Sequence, residues 1–179
     1  MKMVSPELTY TEVELEHGRA EIEVDQIYKE NDLVVRQKGV QTELLKAGLY
    51  EFNADDGTLR VFEGKAAVFT GDAADGPRTS EHALTVKGGH QVSVTNLVKP
   101  QGLDKNASED DLYHWSSLRS QYLGEANARL APSYAGYAGF APGWFWDSGL
   151  YGYTWLPGDG LFYSPVSYTH LTLPTIYSV

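Results

Sequence analysis

The stretch Glu12-Val13-Glu14-Leu15-Glu16-His17-Gly18-Arg19-Ala20-Glu21-Ile22-Glu23-Val24-Asp25 alternates strictly between charged and apolar side chains on both sides of a break at His17-Gly18. A period of two belongs to a half-buried strand, with Val13, Leu15, Ala20, Ile22 and Val24 on one face and the acids on the other. Gly18 supplies the positive φ of a tight turn, so the segment predicts a hairpin pairing Glu16 with Arg19, Glu14 with Glu21 and Glu12 with Glu23. Leu15 then meets Ala20 and Val13 meets Ile22 on a buried face, and the charged face is wet.

Outward from this segment the pattern recurs in short pieces: Leu33 to Arg36, Gln41 to Leu45, Leu49 to Asn53, Thr58 to Phe62, Ala66 to Phe69, Ala83 to Lys87 and Gln91 to Thr95. Gly-, Asn- and Asp-rich breaks separate them, among them Lys38-Gly39, Ala47-Gly48, Asp55-Asp56-Gly57, Glu63-Gly64 and Gly88-Gly89. About nine short strands without a helical period between them predict an all-β fold, an antiparallel-rich sandwich or roll. Near residue 100 the texture changes. Ser108-Glu109-Asp110-Asp111 reads as a helix start with Ser108 as N-cap and carboxylates on the positive end of the macrodipole. Leu112, Trp115, Leu118, Tyr122 and Ala126 follow at helical spacing until Pro132, predicting one amphipathic helix docked on or beside the β domain. From Tyr134 to Tyr163, eleven aromatics and seven glycines form an irregular aromatic and Gly-rich tail of loops and short hairpins, for example around Gly149 and Pro157-Gly158. The expected organisation is therefore a β domain over 1–99, a linker and helix over 100–132, an aromatic extension over 133–164, and residues 165–179.

That last segment stands apart. Pro165-Val166-Ser167-Tyr168-Thr169-His170-Leu171-Thr172-Leu173-Pro174-Thr175 resembles the in-frame translation of a transposase-type sequencing adapter, and Ile176-Tyr177-Ser178-Val179 fits the index and terminal valine codon that follow in such adapters. Residues 165–179 are accordingly expected to be non-native, on a truncated fragment whose native sequence runs on past Ser164.

Composition restricts function. The 179 residues carry 14 basic and 24 acidic side chains, a formal charge of −10. With no basic cluster, nucleic acid is excluded as an expected partner, because phosphate affinity comes from clustered Lys and Arg. No cysteine is present, so there is no disulfide, Cys-based zinc site or thiol nucleophile. No run is long enough for a membrane span, and Met1-Lys2-Met3 is not followed by the apolar core of a signal peptide.

Taken together, the strands and their glycines resemble the FecR-type domain of bacterial envelope proteins. The resemblance runs through Val13 to Val24, then Ala47-Gly48-Leu49-Tyr50-Glu51-Phe52, then Leu59-Arg60-Val61-Phe62-Glu63-Gly64-Lys65-Ala66-Ala67-Val68, and closes with Leu84-Thr85-Val86-Lys87-Gly88-Gly89-His90-Gln91-Val92. Leu49 stands where the family carries Thr. The segments Pro142 to Asp147 and Tyr153 to Ser164 look like the Trp/Tyr/Gly-rich extension that follows such domains in some envelope proteins. The resemblance implies a periplasmic or cell-surface location and an interaction role with an envelope protein or polysaccharide, not catalysis. Two alternatives stay open: a fragment of an envelope carbohydrate-active enzyme whose catalytic part is missing, and a sensor-regulator of the iron-transport type, whose sigma-binding segment and upstream span are not in this chain.

No catalytic residue or cofactor is expected. His17, His82, His90 and His114 lack zinc-ligand spacing, Asn53-Ala54-Asp55-Asp56-Gly57 lacks the distal Glu of a calcium loop, and no nucleophile elbow or phosphate loop occurs. The acidic face around Glu12 and Glu21 reads as a solvated, aggregation-resistant surface. The candidate binding residues are Trp144, Trp146, Tyr151, Tyr153 and Trp155. Aromatics on turns suit stacking on sugar rings or packing on a partner, while the alternative is a small core completed by further chain.

Overall fold

The alternation over residues 12–25 does build two strands, but they do not pair with each other. The structure is a computed structural model that describes residues 1–7, 9–69, 83–96, 99–134, 143–149 and 151–156. Strands β1 (Lys2–Pro6), β2 (Tyr10–Leu15), β3 (Arg19–Val24), β4 (Asp32–Gln37), β5 (Val40–Leu44), β6 (Gly48–Asn53), β7 (Thr58–Val61), β8 (Lys65–Phe69), β9 (Ala83–Lys87), β10 (His90–Ser93) and β11 (Gln101–Gly102) form two sheets. One has the order β1-β2-β4-β5-β8-β9, the other β11-β10-β7-β6-β3. Every strand anticipated after residue 25 is present.

The expected hairpin is corrected by this topology. At His17-Gly18 the chain leaves the first sheet and enters the second, so β2 pairs with β1 and β4 while β3 pairs with β6. The corner is pinned from outside the segment. Gly18 has φ 74°, its N–H donates to Asp55 Oδ1 (2.8 Å), and its carbonyl accepts the Ala54 N–H (2.9 Å). Period-two alternation fixes which face is buried but not which strand lies alongside, and facing sheets satisfy it as well as neighbouring strands do. Val13 and Leu15 from one sheet and Val24, with Ala20 and Ile22 packed against it, from the other share one core with Phe52, Leu59 and Val68. The β2–β4 pair is parallel, Tyr10 opposite Asp32 through Leu15 opposite Gln37; the other pairs are antiparallel.

The acidic face is only partly wet. Glu12 is buried against Arg36, whose Nη2 lies 2.8 Å from its Oε1, and accepts the Tyr10 hydroxyl at 2.6 Å. On the second sheet the fully buried Glu51 receives Arg60 Nη1 at 2.8 Å and Arg19 Nε at 3.1 Å, and Arg19 also reaches Asp110 at 2.5 Å. An ionised carboxylate at such depth persists only when cations and hydrogen bonds replace its water.

Tyr50 ties β6 to the β7–β8 turn. Its buried hydroxyl donates to the Lys46 carbonyl (2.5 Å) and accepts the Lys65 N–H (3.0 Å). Burial pushes the phenol pKa above its ordinary value. Gly64, at φ 104°, leaves the room this ring needs: a methyl there would overlap the hydroxyl and lie 2.8 Å from Cζ.

The chain divides into two compact units, Met1–Asp110 and Asp111 onward. At the end of the first, α1 (Lys105–Ser108) is capped by Asp104, whose Oδ1 accepts the Asn106 N–H at 3.1 Å. Ser108 is therefore the buried last residue of a short helix and not the N-cap of the long one. The second unit contains α2 (Asp111–Tyr134) and the hairpin β12 (Gly143–Asp147) with β13 (Gly152–Leu156). Helix α2 continues through Pro132, since proline deletes one backbone bond yet keeps a helical φ. The expected apolar stripe is not its packed face: Ala126 is buried, but Trp115, Leu118 and Tyr122 are 59, 49 and 53 % exposed. The buried positions are instead Ser120, Gly124, Ala126 and Asn127. Among the described residues no helix is long and apolar enough to cross a membrane.

Candidate aromatic binding face

The aromatic extension is more regular than its composition suggests. Residues 143–156 form a hairpin about Gly149, as anticipated, whereas Pro157-Gly158 lies outside the described residues, as does the segment 165–179. The register sets Trp144 opposite Trp155, Phe145 opposite Thr154, Trp146 opposite Tyr153 and Asp147 opposite Gly152. Directly opposed residues share a face, so the ribbon sorts its side chains by parity.

One face is turned inward and carries Asp147, Thr154 and the half-buried Phe145. Asp147 is 2 % exposed and paired with Arg129 of α2, while Thr154, fully buried, donates from Oγ1 to Asn127 Oδ1 at 2.5 Å. Asp147 also accepts the Gly149 N–H at 2.7 Å, closing the turn on itself. A methyl at Gly149 would come 2.7 Å from Arg129 Nη2, so the end of that side chain would have to shift.

The other face is aromatic and open: Trp144 is 67 %, Trp146 51 % and Tyr153 66 % exposed. The Trp146 and Tyr153 rings meet edge to face, centroids 5.2 Å apart at 74°. Tyr151, at the turn, is 86 % exposed and has φ 49°, a conformation bulky residues rarely adopt. Four of the five sequence-predicted residues thus lie exposed on one ribbon, and Trp155 occupies the register position opposite Trp144.

Sequence reasoning missed the residues that orient this face. Asn127, Arg129, Asp147 and Thr154 hold the ribbon's inner side; the one local signal was Asp147-Ser148-Gly149, an acceptor placed to cap its own turn. A second concavity, of about 390 Å³, lies on the outer face of the second β sheet, lined by Thr58, Arg60, Gln91, Ser93, Lys99 and Gln101. Arg60 there is already engaged by Glu51 and Gln91. Among the described residues no three His, Asp or Glu side chains are grouped to hold a metal ion.

No family model matches the chain, and no curated protein matches it. Two crystal structures of a candidate anti-sigma factor from Parabacteroides distasonis ATCC 8503 are similar to it at 17 and 16 % identity, each with a TM-score of 0.40. They cover 65 % of this chain, and this chain covers 47 and 48 % of theirs. The chain therefore spans about half the length of the solved structures it matches.

Proposed function

We propose that this chain is a non-catalytic binding module of the bacterial cell envelope, with a β domain resembling the FecR type, that contacts a protein or glycan partner through the aromatic face of the β12–β13 ribbon. The observation that carries the reading is the outward set Trp144, Trp146, Tyr151 and Tyr153, on a ribbon held from its inward side by Asp147 with Arg129 and Thr154 with Asn127. Large exposed rings supply contact area at low entropic cost. The most deeply buried acids, Glu12, Glu51 and Asp147, are all committed to arginines, which suits structural roles better than proton transfer. Periplasmic or surface placement is part of the proposal and rests on the FecR-type resemblance.

The test is retention of the full chain on solubilised envelope proteins and on envelope polysaccharides, with and without Trp144→Ala and Trp146→Ala. Reducing ends are measured in the same samples. Retention that depends on the two tryptophans without sugar release supports the reading. Release of sugars overturns its non-catalytic part, and retention indifferent to both substitutions overturns the site.

A further inference from the structure

The second unit is assembled the wrong way round for a ribbon that merely needs covering. Its interior holds Ser120, Ala126, Asn127, Asp147 and Thr154, each at most 4 % exposed, with Phe145 half-buried on the inward face, while three aromatics of the same ribbon point to solvent. Moving the register by one residue would exchange the faces, burying rings and exposing the polar side chains. Two inward polar pairs, Asp147 with Arg129 and Thr154 with Asn127, hold the less hydrophobic arrangement. Tyr151 adds to this, since a bulky residue occupies a left-handed turn position that glycine fills more easily.

Resting on the binding reading above, we infer that this ribbon is a stacking platform for an uncharged polysaccharide laid along the strand. Three features select that occupant. The only charged side chain between Gly143 and Leu156 is Asp147, which is buried and paired, so the exposed face offers nothing to a charged ligand. A chain of formal charge −10 repels anionic polymers and anionic lipid surfaces alike. Trp144 and Trp146, two residues apart on one strand face, are separated along it by about 6.8 Å, the scale of one pyranose ring. A linear glycan meets such a row with its sugar faces and leaves its hydroxyls in water.

The full chain is titrated with xyloglucan and with laminarin, using polygalacturonate as the anionic control, and followed by calorimetry and tryptophan emission. Saturable binding of at least one neutral glycan is expected, weakened about tenfold by Trp146→Ala and changed less than about twofold by Trp115→Ala, an exposed tryptophan off the ribbon. Failure of both neutral glycans to bind, or equal weakening by the two substitutions, overturns the inference. Concentration-dependent dimerisation in sedimentation, or co-sedimentation with phosphatidylglycerol vesicles, lost in Trp146→Ala and without glycan binding, overturns the glycan assignment and leaves the binding module standing. Release of reducing ends from either glycan overturns the non-catalytic reading as well.

Discussion

Replacing Gly64 by alanine should cost far more than one methyl group suggests, and the cost should depend on the hydroxyl of Tyr50. At φ 104° an L side chain is strained by about 1–2 kcal/mol. The new methyl also overlaps the Tyr50 hydroxyl, so the ring must move and the buried donor and acceptor around Lys46 and Lys65 lose their geometry, about 1–3 kcal/mol more. Together these give about 2–5 kcal/mol, a large part of the 5–15 kcal/mol typical of a domain. Tyr50→Phe alone should cost about 1–1.5 kcal/mol. It also removes the atom that collides with the methyl, so the double variant should be little worse than Gly64→Ala, with a coupling of at least about 1 kcal/mol. The assay is urea unfolding followed by circular dichroism and tyrosine emission. All four tryptophans lie beyond residue 110, so their emission reports on the second unit and is followed separately. Additivity of the two substitutions within about 0.5 kcal/mol would refute the packing argument.

Glu51→Gln should destabilise the first unit by about 3 kcal/mol in the same urea assay, since it leaves Arg19 and Arg60 beside a neutral group at a buried site. Trp115→Ala and Tyr122→Ala should each change stability by no more than about 0.5 kcal/mol, whereas a packed stripe would lose several times that. Because the folded pKa of Tyr50 lies above its unfolded value, the folded state holds a proton that the unfolded state releases at high pH. Its contribution is whole below about pH 10 and is lost as pH rises beyond. A spectrophotometric titration should therefore show one phenol ionising only together with unfolding. Glu21→Lys should slow refolding in stopped-flow measurements without lowering equilibrium stability, because lysine opposite Glu14 favours a local hairpin while Glu51 stands opposite it in the native sheet.

How much of this was legible in the sequence follows from the range of each interaction. Strands β4 to β10 were legible because alternation and turn residues are local, and the hairpin about Gly149 was announced in the same way. The partnering of β2 and β3 was not, because it is decided by Asp55 and Ala54, more than thirty residues downstream of Gly18. The depth of Glu12 and Glu51 was hidden for the same reason, since Arg36 and Arg60 come from neighbouring strands. On α2 the spacing of Trp115, Leu118 and Tyr122 suggested a buried face, but the ribbon selects the side with Ser120, Gly124 and Asn127, which offers little bulk and a partner for Thr154. The aromatic candidates were visible by composition alone. That they share an open face, with polar side chains behind it, required the register.

The crossing at His17-Gly18 also bears on the order of folding. As the N-terminal residues emerge, the contact closest at hand for β2 is β3, through a turn that glycine makes easy. That pairing would set Glu14 against Glu21 and Glu12 against Glu23, and repulsion between like charges makes the nearby product a poor one. Short-range pairings such as β4 with β5 and β6 with β7 are expected to close before the long-range ones, which would leave both strands available for the edges of β4 and β6. The acids of residues 12–25 would in that case act before the native state exists, by disfavouring the nearest wrong pairing, which the refolding rate of Glu21→Lys tests.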